Sequence, residues 1–144
     1  MTYNHIYNGS CHCGNISFEF STNKSIEEFA PRICSCSFCL RHGGRYISDP
    51  DGRLEISCKD NAQLNRYQFG HKTADFILCK NCGVFIGAIC TIDERDYAVI
   101  NIKTMLNYDF SDNATSNDYD SENQGSRLER RAKNWIPHVA LNGF

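Results

Sequence analysis

Seven of the nine cysteines lie in short clusters whose spacing is typical of metal ligands. The clusters read CHC at residues 11–13, CSCSFC at residues 34–39 and CKNC at residues 79–82. An odd number of cysteines cannot pair completely, and cysteines two residues apart are too close for an ordinary disulfide with each other. The clustered thiols therefore predict metal sites rather than a disulfide framework.

The first and third clusters each supply half of a tetrahedral site, through Cys11 with Cys13 and through Cys79 with Cys82. Four thiolates would complete the coordination of one zinc ion, and the energy of binding would contribute to folding. A glycine follows the second cysteine of each pair and suits the tight turn of a zinc knuckle. We predict that these four cysteines bind a structural zinc ion.

The middle cluster holds three thiols, those of Cys34, Cys36 and Cys39. Catalytic zinc sites keep three protein ligands and one open position, whereas structural sites are closed. An open position would make this cluster a catalytic zinc site. Two alternatives stay open: His42, three residues after Cys39, would close the site, or the three thiols would bind no metal and be redox-active.

An open zinc site with three thiolates would activate a thiol better than a water molecule. The three negative sulfurs weaken the zinc as a Lewis acid toward water or a carbonyl group. A thiol that enters the fourth position would lose its proton there, and its soft sulfur matches a soft site. The expected chemistry is therefore thiol activation.

Two basic side chains, Arg41 and His42, follow the middle cluster closely. A cation at this place would offset the negative charge of the sulfurs and bind a carboxylate of the substrate. The alternative for Arg41 is an ordinary solvated loop residue. We predict Arg41 and His42 as substrate-binding residues.

The segments around these clusters predict a mainly β protein. Apolar residues alternate with polar ones in NISFEF at residues 15–20 and in RLEISC at residues 53–58. Further strand-like segments cover residues 64–69, 74–79, 84–89 and 96–102. The turn sequence DPDG at residues 49–52 predicts a hairpin that joins RYIS to RLEISC. The two remaining thiols, Cys58 and Cys90, are expected to be buried in strands.

The last third of the chain predicts a polar surface loop and a short C-terminal helix. Residues 107–126 are mostly Asn, Asp and Ser, which suits a long loop. Ser126 and Glu129 form a capping-box pattern, so residues 127–144 are expected to form a helix that Pro137 stops and a tail. The tail is expected to pack back as an extended segment.

Length and charge limit the classes of protein that the sequence fits. The 144 residues suit a single domain that spans residues 1–144. A net charge of -2 gives no large field of one sign, which argues against nucleic acid and anionic membrane surfaces as partners. No apolar run is long enough for a membrane helix, and the N-terminal segment lacks the pattern of a secretory signal. We therefore expect a cytoplasmic protein with a small-molecule or protein partner.

Four features in series resemble the glutathione-dependent formaldehyde-activating enzyme family, which is related to the centromere protein V group. They are GSCHCG at residues 9–14, CSCSFC at residues 34–39, Gly44, and CKNCG at residues 79–83. The resemblance implies a tent-like zinc-binding fold of small twisted antiparallel sheets. It also implies two zinc ions, one structural on the four paired cysteines and one catalytic on the three thiols of the middle cluster.

The same resemblance implies a carbon-sulfur lyase of the S-(hydroxymethyl)glutathione synthase type. Glutathione would be the co-substrate, and its activated thiolate would add to formaldehyde. A small thiol and an aldehyde are then the expected partners. A second hypothesis is a zinc-stabilised module that carries glutathione or binds a protein without turnover.

Overall fold

Strand segments build two β-sheets in the computed structural model, which describes residues 2–105, 108 and 114–144. Within these residues, the smaller sheet has four strands, in the spatial order β1 (His5–Ser10), β2 (Ile16–Thr22), β5 (Arg53–Cys58) and β11 (His138–Asn142). Within the same residues, the larger sheet has seven, in the order β10 (Thr115–Asn117), β3 (Arg32–Cys34), β4 (Tyr46–Ile47), β9 (Arg95–Asn101), β8 (Phe85–Ile92), β7 (Asp75–Cys79) and β6 (Leu64–Tyr67). The prediction of a mainly β protein is confirmed.

Most neighbouring strands run antiparallel, but both sheets are mixed. Strand β11 runs parallel to β5, and β10 runs parallel to β3. Both of these strands come from the C-terminal third of the chain and lie at the edge of their sheet. Strands from the C-terminal third therefore pair with β3 and β5, whose backbone N–H and C=O groups on that side would otherwise be unpaired.

The alternation that predicted β2 and β5 also sets their packing. Phe18 pairs with Ile56 in the antiparallel register, and both side chains are buried. The thiols outside the clusters are buried as well, with Cys58 at 7% and Cys90 at 0% exposure. The prediction that these two thiols are buried in strands is confirmed.

The predicted hairpin around DPDG is wrong, although its turn forms. Gly52 donates its backbone N–H to the carbonyl of Asp49 at 2.9 Å, which closes the turn. Strand β4 before the turn pairs with β9 in the larger sheet, whereas β5 after the turn pairs with β2 in the smaller one. The buried Asp49 carboxylate accepts a 2.6 Å hydrogen bond from the Thr22 hydroxyl. This bond ties the turn to β2, so the chain crosses from one sheet to the other.

A short helix that the sequence did not predict, α1 (Ser37–His42), follows β3 directly. Cys36 is its N-cap residue, and the Cys36 Sγ accepts a hydrogen bond from the backbone N–H of Cys39 at 3.3 Å. The helix ends at Gly43, whose φ of 62° lies in the left-handed region that glycine adopts without strain. Local capping at both ends therefore defines this helix.

The C-terminal helix α2 (Gln124–Asn134) begins earlier than predicted. Its cap is Asn123, whose side-chain oxygen accepts the backbone N–H of Ser126 at 2.8 Å, so the predicted cap at Ser126 is wrong. The predicted loop at 107–126 therefore contains β10 and the first residues of α2, and its residues 107 and 109–113 lie outside the described residues. The extended tail is confirmed, because Pro137 follows the helix and β11 comes next.

Strands β8 and β9 of the larger sheet are largely buried on both faces. On β8, Ile86 and Ile89 belong to the core between the two sheets, whereas Phe85 and Ala88 belong to a second apolar cluster. That second cluster also contains Trp135, the C-cap residue of α2. Side chains of β8 therefore face both the core between the sheets and the second cluster. A shift in the pairing register with β7 interrupts strict alternation, so Ile86 and Ala88 lie on opposite faces.

Candidate metal centres

The four paired cysteines come together from distant parts of the chain. Cys11 and Cys13 lie in the turn between β1 and β2, Cys79 ends β7, and Cys82 lies in the turn that follows. Their four Sγ atoms all lie within 4.8 Å of one another. The Sγ of Cys13 is 3.7 Å from that of Cys11 and 3.6 Å from that of Cys79.

These sulfur positions fit a tetrahedral zinc ion. Zn–S bonds of about 2.3 Å at tetrahedral angles would place the sulfurs about 3.8 Å apart, close to the distances above. A hydrogen bond from the Asn81 side chain helps to lower the pKa of Cys13 to about 6, which favours the thiolate that zinc requires. The backbone N–H of Ile16 donates to the Cys11 Sγ at 3.3 Å. The donor type and the spacing are thus both right for a four-sulfur site.

A glycine follows each cysteine pair, at Gly14 with a φ of 83° and at Gly83 with a φ of 78°. Gly14 donates its backbone N–H to the carbonyl of Cys11 at 3.2 Å, and Gly83 donates to that of Cys79 at 2.8 Å. A side chain at either position would force a strained left-handed backbone. The glycines therefore allow the tight turns that bring the four sulfurs together.

The three thiols of the middle cluster, which we call the trio, lie at the start of α1. Cys34 ends β3, Cys36 caps α1 and Cys39 lies within it, and their Sγ atoms lie within 4.8 Å of one another. Hydrogen bonds from Cys34 and Cys39 lower the pKa of Cys36 to about 2, so one sulfur carries a negative charge. Three soft sulfur donors, one of them negatively charged, fit a zinc ion.

Tyr46 supports the trio, a role that the sequence analysis did not predict. Its hydroxyl donates a 2.9 Å hydrogen bond to the Cys39 Sγ. Burial raises the pKa of Tyr46, so the hydroxyl keeps its proton and remains a donor. A Cβ at Gly44 would lie 2.8 Å from this hydroxyl oxygen, which explains the glycine after the trio.

The trio lines a cavity of about 440 Å³. The apolar part of the lining includes Phe69, Phe76 and Trp135. The lining also contains four arginines: Arg32, Arg127, Arg130 and Arg131. The cavity therefore lies against the trio, and the rest of its wall has apolar and cationic parts.

A model of the glutathione-dependent formaldehyde-activating enzyme family matches residues 6–119, which include both groups of cysteines. The chain belongs to this family. A crystal structure of a Rhodobacter sphaeroides protein is similar to it, with 26% sequence identity and a TM-score of 0.52; the match covers 71% of this chain and 90% of that one. The family predicted from the cysteine clusters is confirmed. No helix in the described part of the chain has the length and apolar character needed to cross a membrane.

The two basic residues that the sequence suggested as substrate contacts in this family member lie outside the described lining of the cavity. Arg41 is exposed, and its guanidinium donates to the carbonyl of Ser37 at 2.8 Å. The ring of His42 packs 4.5 Å from that of Phe38 and 5.2 Å from that of Phe85. His42 does not join the trio as a fourth ligand within the same 4.8 Å limit. Substrate binding by Arg41 and His42 therefore stays a prediction.

The four cavity arginines were missed by the sequence analysis. Arg127, Arg130 and Arg131 lie on α2, beyond the residues that the family model matches. Arg32 lies on β3, two residues before Cys34, so both side chains share one face of the strand. The spacing between Arg32 and Cys34 was the one feature of the sequence that could have indicated an arginine beside the trio. No feature of the sequence indicated the three arginines of α2.

Replacing Tyr46 with phenylalanine should lower the affinity of the trio for zinc by about 10- to 100-fold. The change removes the hydroxyl that donates to Cys39 but keeps the buried ring, and such partners of metal ligands typically contribute this much. Competition with a coloured chelator would measure the affinity of the second zinc equivalent. His42→Ala is the comparison and should leave that affinity unchanged. Loss in His42→Ala and none in Tyr46→Phe would instead support a site closed by His42.

Proposed function

We propose that this chain is a zinc-dependent enzyme that activates a thiol for addition to formaldehyde or a related electrophile. Glutathione is the first candidate for this thiol. The observation that carries the proposal is the placement of the trio. Cys34, Cys36 and Cys39 all line the cavity, whereas the four paired cysteines are absent from its described lining. One metal site would thus meet a ligand while the other would have a structural role. Membership of the family supports the choice of thiol and aldehyde.

Zinc bound to the trio would supply a centre at which an entering thiol gives up its proton. The hydroxyl of Tyr46 donates to Cys39 and thereby fixes the position of one sulfur and spreads its charge. In the overall reaction, the sulfur of the thiol bonds to the carbonyl carbon of formaldehyde. The former carbonyl oxygen takes the proton that the sulfur lost. Thiol and aldehyde together thus become a hydroxymethyl thioether, and the reverse reaction is a carbon-sulfur lyase step.

The surroundings of the trio suit a small-molecule reaction. A cavity of about 440 Å³ lies in the range of small-molecule sites. All nine cysteines are free thiols, which agrees with a cytoplasmic protein in a glutathione-reduced compartment. The proposal also takes residues 1–144 as one domain, because β11 near the C-terminus shares a sheet with β1 near the N-terminus.

The proposed activity is tested by the rate at which formaldehyde and glutathione condense. Zinc-loaded protein should raise this rate above the spontaneous rate, as followed by exchange spectroscopy in NMR. A cobalt-substituted sample should develop a new sulfur-to-metal charge-transfer band when glutathione is added, because the thiol would enter the trio site.

Two different results would count against the proposal. A new band without any rate increase across a panel of thiols and aldehydes would favour a carrier or binding module without turnover. Absence of the band together with an unchanged rate would remove thiol activation altogether.

A further inference from the structure

The cavity beside the trio has far more positive than negative side chains. The described lining contains four arginines and one carboxylate, that of Asp120. Glu122, which lies outside the lining, forms ion pairs with two of these arginines, at 2.7 Å from Arg130 and 3.4 Å from Arg127. Positive charge therefore remains on the other two.

Arg32 and Arg131 have no carboxylate partner among the described residues, and both face the cavity. Arg32 donates to the Ser48 hydroxyl at 2.6 Å, and Arg131 donates to the Thr73 hydroxyl at 2.8 Å. Arg131 also donates to the Sγ of the buried Cys90 thiol at 3.5 Å. These neutral partners orient the two guanidinium groups but do not compensate their charge. Burial lowers the pKa of both groups, yet arginine stays protonated in proteins.

Arg131 is the more buried of the two. It is 8% exposed, and its Nε has no hydrogen-bond partner among the described residues. Its guanidinium carbon lies 4.8 Å from the ring centre of Trp135, which helps to hold it in place. A buried cation without a carboxylate partner costs stability, and an anion that binds it from the cavity would lower that cost. The cavity is thus prepared for an anionic ligand.

We propose that Arg32 and Arg131 bind a carboxylate of the thiol substrate while its sulfur enters the trio site, so that the enzyme selects acidic thiols. This inference rests on the proposed function for the position of the sulfur. Guanidinium groups bind carboxylates through short, charge-assisted hydrogen bonds, and two such groups favour a fixed orientation. Arg131 lies on the C-terminal helix, beyond the residues matched by the family model, whereas Arg32 lies within them, so the proposed site combines the two parts of the chain.

Matched pairs of thiols test the preference in the unmodified, metal-loaded protein. Glutathione should bind at least about tenfold more tightly than its diethyl ester, which is the loss expected for one charge-assisted hydrogen bond. 3-Mercaptopropionate should likewise exceed 3-mercaptopropan-1-ol, a pair of similar size that excludes bulk as the cause. The charge-transfer band of the cobalt form measures each dissociation constant. Equal affinities within both pairs would overturn the inference while leaving thiol entry intact.

Substitutions assign the preference to the two arginines. Arg131→Gln and Arg32→Gln should each reduce the glutathione preference to less than about threefold, whereas Arg53→Gln should preserve it, because Arg53 is an exposed residue of the smaller sheet. Thermal unfolding would identify a variant that does not fold, and the thiol pairs on unmodified protein decide the question in that case. An unchanged preference in both folded variants would contradict the assignment.

A ligand without a thiol separates this inference from the proposed function. S-Methylglutathione keeps both carboxylates but has no free sulfur to lose a proton. Calorimetry should detect its binding to the zinc-loaded protein, and Arg131→Gln should weaken that binding by about tenfold or more. Binding of S-methylglutathione with no band from glutathione would remove thiol activation but keep the carboxylate site. Absence of S-methylglutathione binding in the presence of a glutathione band would remove only the carboxylate site.

Discussion

Replacing Cys13 with alanine should remove the structural zinc ion and leave most of the protein unfolded at room temperature. Cys13 is one of four sulfurs within 4.8 Å of one another, and its side chain is exposed, so the substitution leaves no cavity in the core. Structural zinc binding contributes on the order of 10 kcal/mol to folding, as much as the whole stability of a typical domain. Zinc content and a urea titration followed by circular dichroism would measure the two losses.

His12→Ala is the matched control, because His12 is exposed and lies between two of the ligands. It should keep both zinc ions and change the free energy of unfolding by less than about 0.5 kcal/mol. Treatment of the unmodified protein with a strong chelator should reproduce the unfolding, and added zinc should reverse it. A Cys13→Ala protein with full zinc content and an unchanged urea midpoint would contradict the four-sulfur site.

Cys36→Ser should remove the metal of the trio and abolish catalysis while the fold survives. Serine can still cap α1 by accepting the backbone N–H of Cys39, but its oxygen is a poor substitute for sulfur at zinc. Outer-shell changes at metal sites already cost 10- to 100-fold, so loss of a ligand should lower the rate by more than about 100-fold. Zinc content should fall by one ion per chain, and the rate of formaldehyde condensation should fall to the spontaneous value.

The urea midpoint of Cys36→Ser should fall much less than that of Cys13→Ala, because the four-sulfur site is intact and only the stabilisation by the second ion is lost. Cys58→Ala is the control, since it removes a buried thiol that belongs to neither group of ligands. It should keep both ions and the full rate at some loss of stability. Undiminished zinc content and rate in Cys36→Ser would refute the trio as the reactive site.

The cysteine groups could be predicted because ligand spacing is a local property. Two cysteines separated by one or two residues bring their sulfurs together within a turn, whatever the rest of the fold does. Each pair, Cys11 with Cys13 and Cys79 with Cys82, is incomplete alone, so the sequence indicated that the two pairs belong together. Side-chain alternation likewise predicted β2 and β5, because a strand with one buried face repeats every two residues.

The remaining features depend on contacts between distant parts of the chain. The hairpin prediction failed because the DPDG turn specifies a reversal but not the partners of β4 and β5, which lie in different sheets. Helix α1 is too short to show a periodic pattern, and its cap at Cys36 has the appearance of a metal ligand. Arg131 reaches the cavity only because α2 packs against β8, which no local pattern of charges indicates.

The two-sided burial of strands β8 and β9 bears on how this protein can diversify. Ala88 on β8 and Val99 on β9 line the cavity, whereas their neighbours Ile89 and Ala98 belong to the core on the opposite face. Larger or smaller side chains at 88 and 99 would reshape the space for an electrophile while the opposite face keeps its packing. Selection, or a laboratory library restricted to these two positions, can therefore alter substrate scope largely independently of foldability.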